Sequence, residues 1–105
     1  MTMVAQLRTY TINRGMMDSW LKVFDEEIRP IHDKIGMPIS ATFVNADRNE
    51  FIWIRNFNSA DEIPEKEAAY FGSDERKALG DKPTSHIAKI EVKVIETVLE
   101  PAGVA

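Results

Sequence analysis

The chain has 105 residues, of which 44% are hydrophobic and 29% charged, with a net charge of −4 and no cysteine. That length suits one domain, with a core expected over about residues 3–100, and such a domain hides roughly two-thirds of the surface its unfolded chain exposes. Lack of cysteine excludes disulfides, thiol nucleophiles, iron–sulfur clusters and thiolate zinc sites, and it fits a cytoplasmic location. The acidic balance supplies no basic field for nucleic acid. No apolar run approaches the roughly 20 residues of a membrane-spanning helix. The opening MTMVAQLRTY has no basic segment followed by a long apolar run, so no secretory signal is expected. Neither nucleic acid nor membrane is an expected partner.

Strand one is read over about Met3 to Ile12, ending at Asn13-Arg14-Gly15. Its alternation puts Ala5, Leu7 and Thr9 on one face and Val4, Gln6, Arg8, Tyr10 and Ile12 on the other. Helix one follows over about Met16 to Ile35, with Met17, Trp20, Leu21, Phe24, Ile28, Ile31 and Ile35 at helical spacing. Pro30 is expected to kink it or to split off a last turn, because proline lacks an N–H and its ring clashes with the preceding turn. Gly36 ends the helix and Pro38 follows. Strand two is Ile39 to Asn45, Ala46 to Asn49 form a hairpin turn, and strand three is the aromatic and β-branched run EFIWIRNF, Glu50 to Phe57. Ser59 and Glu62 have capping-box spacing, which places helix two over about Ala60 to Phe71, with Pro64 disturbing its first turns and Gly72 ending it. Ser73 is read as the cap of a short further helix ending near Gly80. The last strand is Ile87 to Leu99, and Pro101 to Ala105 read as a loose tail.

This order is β-α-β-β-α-β, an α+β ferredoxin-like arrangement: an antiparallel sheet with both helices on one face and strands one and three at its centre. In the last strand Ala88, Ile90, Val92, Val94 and Val98 make one apolar face, whereas Lys89, Glu91, Lys93 and Thr97 make the other polar apart from Ile95 and Leu99. In strand three Phe51, Trp53 and Phe57 lie on one face and Ile52 and Ile54 on the other. Helices cover only one of these apolar faces. A second copy of the sheet is the simplest cover for the other, since large bare apolar patches are rare on soluble monomers.

Arg8 and Arg55 stand out as charges on central strands. Pairing with carboxylates such as Glu91 or Glu96 is their structural reading. Holding an anionic ligand is the functional one, because guanidinium is the best bidentate donor to a carboxylate. Tyr10 and Trp53 either fill the core or the dimer interface, or wall a pocket for a flat apolar molecule. His32, beside Pro30, reads as a helix cap or a water-facing side chain, with general base as the sharper alternative. His86 reads as a surface loop residue. The two histidines are 54 positions apart with no HxxxH, HExxH or carboxylate cluster, so no metal or other cofactor is expected. Asp25-Glu26-Glu27 is read as a solvated helix face. No GxGxxG, P-loop or GxSxG occurs, which leaves nucleotide and hydrolase chemistry unsupported.

The opening QLRTYTINRG resembles the start of the NIPSNAP family. Further matching landmarks are Pro30 with Ile35-Gly36, FIWIRNFNSADE, and the closing IEVKVIETVLEP, so the resemblance spans nearly the whole chain. It implies a homodimer of ferredoxin-like subunits whose sheets face each other as a dimeric α/β barrel. The family's biochemical activity is poorly defined. The resemblance therefore points to a domain that binds a small apolar or anionic ligand, through Arg8, Tyr10, His32, Trp53 and Arg55, or serves as an assembly module. The alternative is an enzyme like the cofactor-free monooxygenases of the same superfamily. There the substrate is a phenol or quinol, and the protein supplies a dry pocket, a base and orientation. Trp53 and Asn56, with His32 or Tyr10, are its candidate parts. The resemblance assigns no catalytic residue to this chain.

Overall fold

A computed structural model describes residues 3–98. Leu99 and the tail from Pro101 to Ala105, on which two of the sequence expectations fall, lie outside the described residues. The elements in order are β1 (Val4–Ile12), α1 (Met17–Val23), a π-helical segment (Phe24–Ile28), α2 (Arg29–Ile35), β2 (Ile39–Val44), β3 (Glu50–Phe57), α3 (Glu62–Gly72), α4 (Asp74–Leu79), a 3-10 turn (Thr84–His86) and β4 (Ile87–Glu96). The sheet order is β2-β3-β1-β4, all antiparallel, so β1 and β3 are the central pair as expected.

Pro30 neither simply kinks nor splits the first helix. The chain winds into a π turn just ahead of it, where the Arg29 N–H donates to the Phe24 carbonyl five residues back. The wider turn accommodates a ring that would otherwise collide with the preceding carbonyl, and Pro30 then stands in the first turn of α2, where its missing N–H costs nothing. Gly36 ends α2 in the left-handed region at φ 81°, with its N–H and that of Met37 both donating to the His32 carbonyl.

The Ser59–Glu62 capping box does not form. Helix α3 begins two residues later than expected, at Glu62, with Asp61 in a helical conformation and no side-chain cap. Pro64 explains the late start. It falls within the first turn, where the N–H groups have no helical partner. Ser73 does cap α4, its hydroxyl accepting from the Arg76 N–H at 3.2 Å.

Alternation in β1 and β3 divides the sheet into two unlike faces. Gln6, Arg8, Tyr10 and Ile12, with Phe51, Trp53, Arg55 and Phe57, lie on the face beneath the helices and are all buried. Trp20, Val23, Phe24 and Ile28 descend onto them from the first helix, giving the main core. A second cluster joins Ile31, Met37, Phe57 and Tyr70. The opposite face shows Leu7, Ile52 and Ile54 half-buried and Phe43 exposed. In β4 the apolar residues Ile90, Val92 and Val94 pair with Tyr10, Arg8 and Gln6 and so belong to the helical side. They are nonetheless exposed, because among the described residues no helix reaches over this edge strand.

The β2–β3 hairpin depends on Asn45, whose side-chain oxygen accepts from the Asn49 and Glu50 N–H groups at 3.0 and 2.9 Å. Replacing Asn45 by alanine removes both contacts and is expected to cost about 1–2 kcal/mol in urea unfolding, with an unchanged m-value.

Candidate functional site

Arg55 reaches from the middle of β3 into the space between the sheet and the helices and is 1% exposed. A guanidinium so deeply buried needs partners on every side. Its Nε donates to Gln6 Oε1 at 2.8 Å, its Nη1 to His32 Nε2 at 3.1 Å and its Nη2 to Glu67 Oε2 at 2.7 Å. Arg8 stands beside it on β1. Its Nε donates to the Tyr10 hydroxyl and its Nη1 to the same Gln6 oxygen, each at 3.0 Å, and Nη1 lies 3.8 Å from Glu67. Both guanidiniums lie about 5.5 Å from the Trp53 ring centre, within cation–π range.

The carboxylate partner is thus Glu67 of α3, and neither Glu91 nor Glu96. Glu91 pairs with Thr9 across the strands, on the face away from the arginines, and binds Lys89. Glu96 pairs with Val4 at the end of β1, away from Arg8. A signal for Glu67 was present in the sequence: Ile63, Glu67 and Tyr70 fall at spacings of four and three, which sets a carboxylate on the inward stripe of α3.

His32 is fully buried, so it neither faces water nor acts as an exposed cap. The π turn and α2 carry it under the sheet, where its Nδ1 lies 3.0 Å from the Ile28 carbonyl. A carbonyl only accepts, so Nδ1 carries the proton and Nε2 receives the Arg55 N–H. Burial, followed by the positive charges of Arg55 and Arg8, lowers its pKa to about 4 against the favourable carbonyl contact. Burial first, then the Arg8 charge, lowers that of Arg55 to about 10, so it stays cationic at neutral pH. The phenol of Tyr70 is pushed up, chiefly by burial.

His86 is also buried, contrary to its reading as a surface residue. Its Nδ1 lies 2.7 Å from the Lys82 carbonyl and its Nε2 2.7 Å from the Ser19 hydroxyl, which ties the approach to β4 to α1.

Between the helices and the sheet lies a cavity of about 80 Å³. Arg8, Tyr10, His32, Trp53 and Arg55 all line it, together with Trp20, Phe24 and Tyr70. The exposed Phe71 and Ile90 border its mouth. The Trp20 and Trp53 indole N–H groups are buried and have no partner among the described residues. Asn56 does not belong here. It pairs with Ala5 on the opposite face of β3 from Trp53, because adjacent strand residues point to opposite sides. Helix α4 brings Arg76 to the rim, where its guanidinium lies over Tyr70 and Phe71 and donates to the Gly80 carbonyl.

A pKa below the unfolded value makes His32 a source of acid sensitivity. Its neutral form contributes fully above about pH 6.5, and that stability is lost as pH falls from 6.5 towards 4, where the unfolded chain takes up a proton that the folded chain does not. Over this range wild-type unfolding free energy should fall by about 2–3 kcal/mol more than that of a His32→Gln variant, measured by urea titration at several pH values.

The chain matches the NIPSNAP family over residues 5–99. A NIPSNAP family protein from Agrobacterium tumefaciens is 21% identical, with a TM-score of 0.84 over 91% of this chain and 86% of that one. A second from the same organism, of unknown function, is 23% identical, with a TM-score of 0.84 over 95% and 92%. A candidate antibiotic biosynthesis monooxygenase from Nitrosomonas europaea shares the fold more loosely, at 12% identity and a TM-score of 0.64 over 91% and 90%. No curated protein matches the chain. Since the family match takes in both central strands and every element that builds the cavity, the chain belongs to the NIPSNAP family.

Proposed function

We propose that this domain is a homodimeric binding protein whose cavity takes a small flat molecule, a single aromatic ring carrying an anionic group. One observation carries the reading: an aromatic cavity is walled by two arginines that share one carboxylate. With His32 neutral, the two arginines of the cavity floor and Glu67 leave one positive charge uncompensated there, and Arg76 adds another at the rim. The unpartnered indole N–H groups favour a ligand that also accepts hydrogen bonds, since a buried donor without a partner costs about 1–3 kcal/mol. The enclosed volume of about 80 Å³ is smaller than the roughly 150 Å³ that holds benzene, so a single ring with its charged group would extend through the mouth past Ile90.

The open sheet face supports the dimer. Leu7, Ile52, Ile54 and Phe43 form an apolar surface that the helices do not cover, and a second copy satisfies it symmetrically. An assembly role and a ligand-binding role are compatible on this fold, because interface and cavity lie on opposite faces of the sheet.

Cofactor-free oxygenation of a phenol or quinol would use the same cavity and needs a base. His32 is poorly suited to that task, with both ring nitrogens engaged and its protonated form disfavoured. Binding is therefore the better-supported reading.

Isothermal titration with benzoate should show saturable binding, weakened at least about tenfold by Arg8→Met and also weakened when benzyl alcohol replaces benzoate. Absence of saturation with the folded wild-type protein at millimolar benzoate overturns the reading. In sedimentation the wild-type chain should run at twice the monomer mass at micromolar concentration, and Phe43→Lys should shift it towards monomer. A wild-type monomer would refute the dimer.

A further inference from the structure

We propose that Glu67 fixes the charge of the group this cavity accepts, admitting a singly charged carboxylate and excluding a doubly charged phosphate. This rests on the reading of the cavity as an anion-accepting site. Glu67 does not line the cavity. It approaches from α3 behind the arginines, 2.7 Å from Arg55 and 3.8 Å from Arg8, and its side chain is 30% exposed. There it neutralises one of two buried guanidiniums before any ligand arrives. The other polar groups at the cavity floor add no charge to the count. Gln6 is neutral, the Tyr10 hydroxyl accepts from Arg8, and His32 Nε2 accepts from Arg55. Arg76 adds a further cation at the rim, where it lies over Tyr70 and Phe71, is half-exposed and donates to the Gly80 carbonyl, so the count of one net charge applies to the floor beside Arg8 and Arg55. A carboxylate entering beside Arg8 meets one net positive charge and leaves the floor neutral. A phosphate dianion would leave an unpaired negative charge among buried aromatic rings, which low-dielectric surroundings penalise strongly.

Two measurements test this, with benzoate and phenyl phosphate as probes. At about pH 8, where a phosphomonoester is mainly a dianion, wild type should bind benzoate at least about tenfold tighter than phenyl phosphate. Glu67→Gln keeps the side chain's shape and its contact to Arg55 while removing the charge. It should shift the benzoate-to-phosphate affinity ratio by at least about tenfold towards phosphate. The second measurement needs no variant. Wild type should bind phenyl phosphate at least about tenfold tighter at pH 5, where it is mainly a monoanion, than at pH 8, and benzenesulfonate, singly charged at both, should bind equally. If benzoate binds but the ratio is the same in Glu67→Gln, or phenyl phosphate affinity does not change with its ionisation, the role of Glu67 is overturned while the binding site stands. If neither probe binds wild type, both fall together.

Discussion

The buried guanidinium of Arg55 is the constraint around which this fold is arranged. Its three donor groups are answered from β1 by Gln6, from α2 by His32 and from α3 by Glu67. Removing any one acceptor would leave part of a desolvated cation unsatisfied, at a cost that side-chain hydrogen bonds on the surface never approach. The cluster therefore fixes how both helices lie over the sheet. It also fixes the ionisation of its own members. His32 is kept neutral by the burial and the cations that surround it, and Gln6, a neutral acceptor, bridges two cations where a second carboxylate would have cancelled them.

Around this polar centre the packing is largely aromatic. Trp20, Phe24, Phe51 and Trp53 meet at ring separations of 4.7–5.9 Å, mostly tilted or edge-on. Tyr10 and Trp53 belong to the core and line the cavity at once, so the alternatives of core filler and pocket wall merge. Large rigid rings cannot close every gap between a twisted sheet and a helix interrupted by a π turn. The cavity lies where the aromatic cluster meets the arginines.

Much of this was legible in the sequence. The alternation of β1 and β3 and the order of elements gave the topology, because a period of two with one buried face admits little else. The same alternation puts Arg8 and Tyr10 on one face of β1, and Trp53 and Arg55 on one face of β3. What escaped reading depended on three dimensions. Glu67 lies 12 residues from Arg55 in sequence, and only the packing of α3 on the sheet makes it the partner. His32 looked terminal because Pro30 suggested a break; the π turn instead continues the helix and carries the imidazole inward. His86 lies in a short turn, and no local signal says that α1 will close over it. The capping box failed for a local reason, the late helix start associated with Pro64.

The unpaired indole N–H groups of Trp20 and Trp53 carry a consequence for affinity. Their removal from water, like that of the two guanidiniums, is a cost already incurred when the chain folds. An acceptor entering the cavity has only its own hydration to lose, and it meets donors held by surrounding rings. Little side-chain freedom is left to surrender on association. On the proposed binding reading, part of the fold's stability goes into readiness, so that a molecule with few atoms would be held by a protein of modest size.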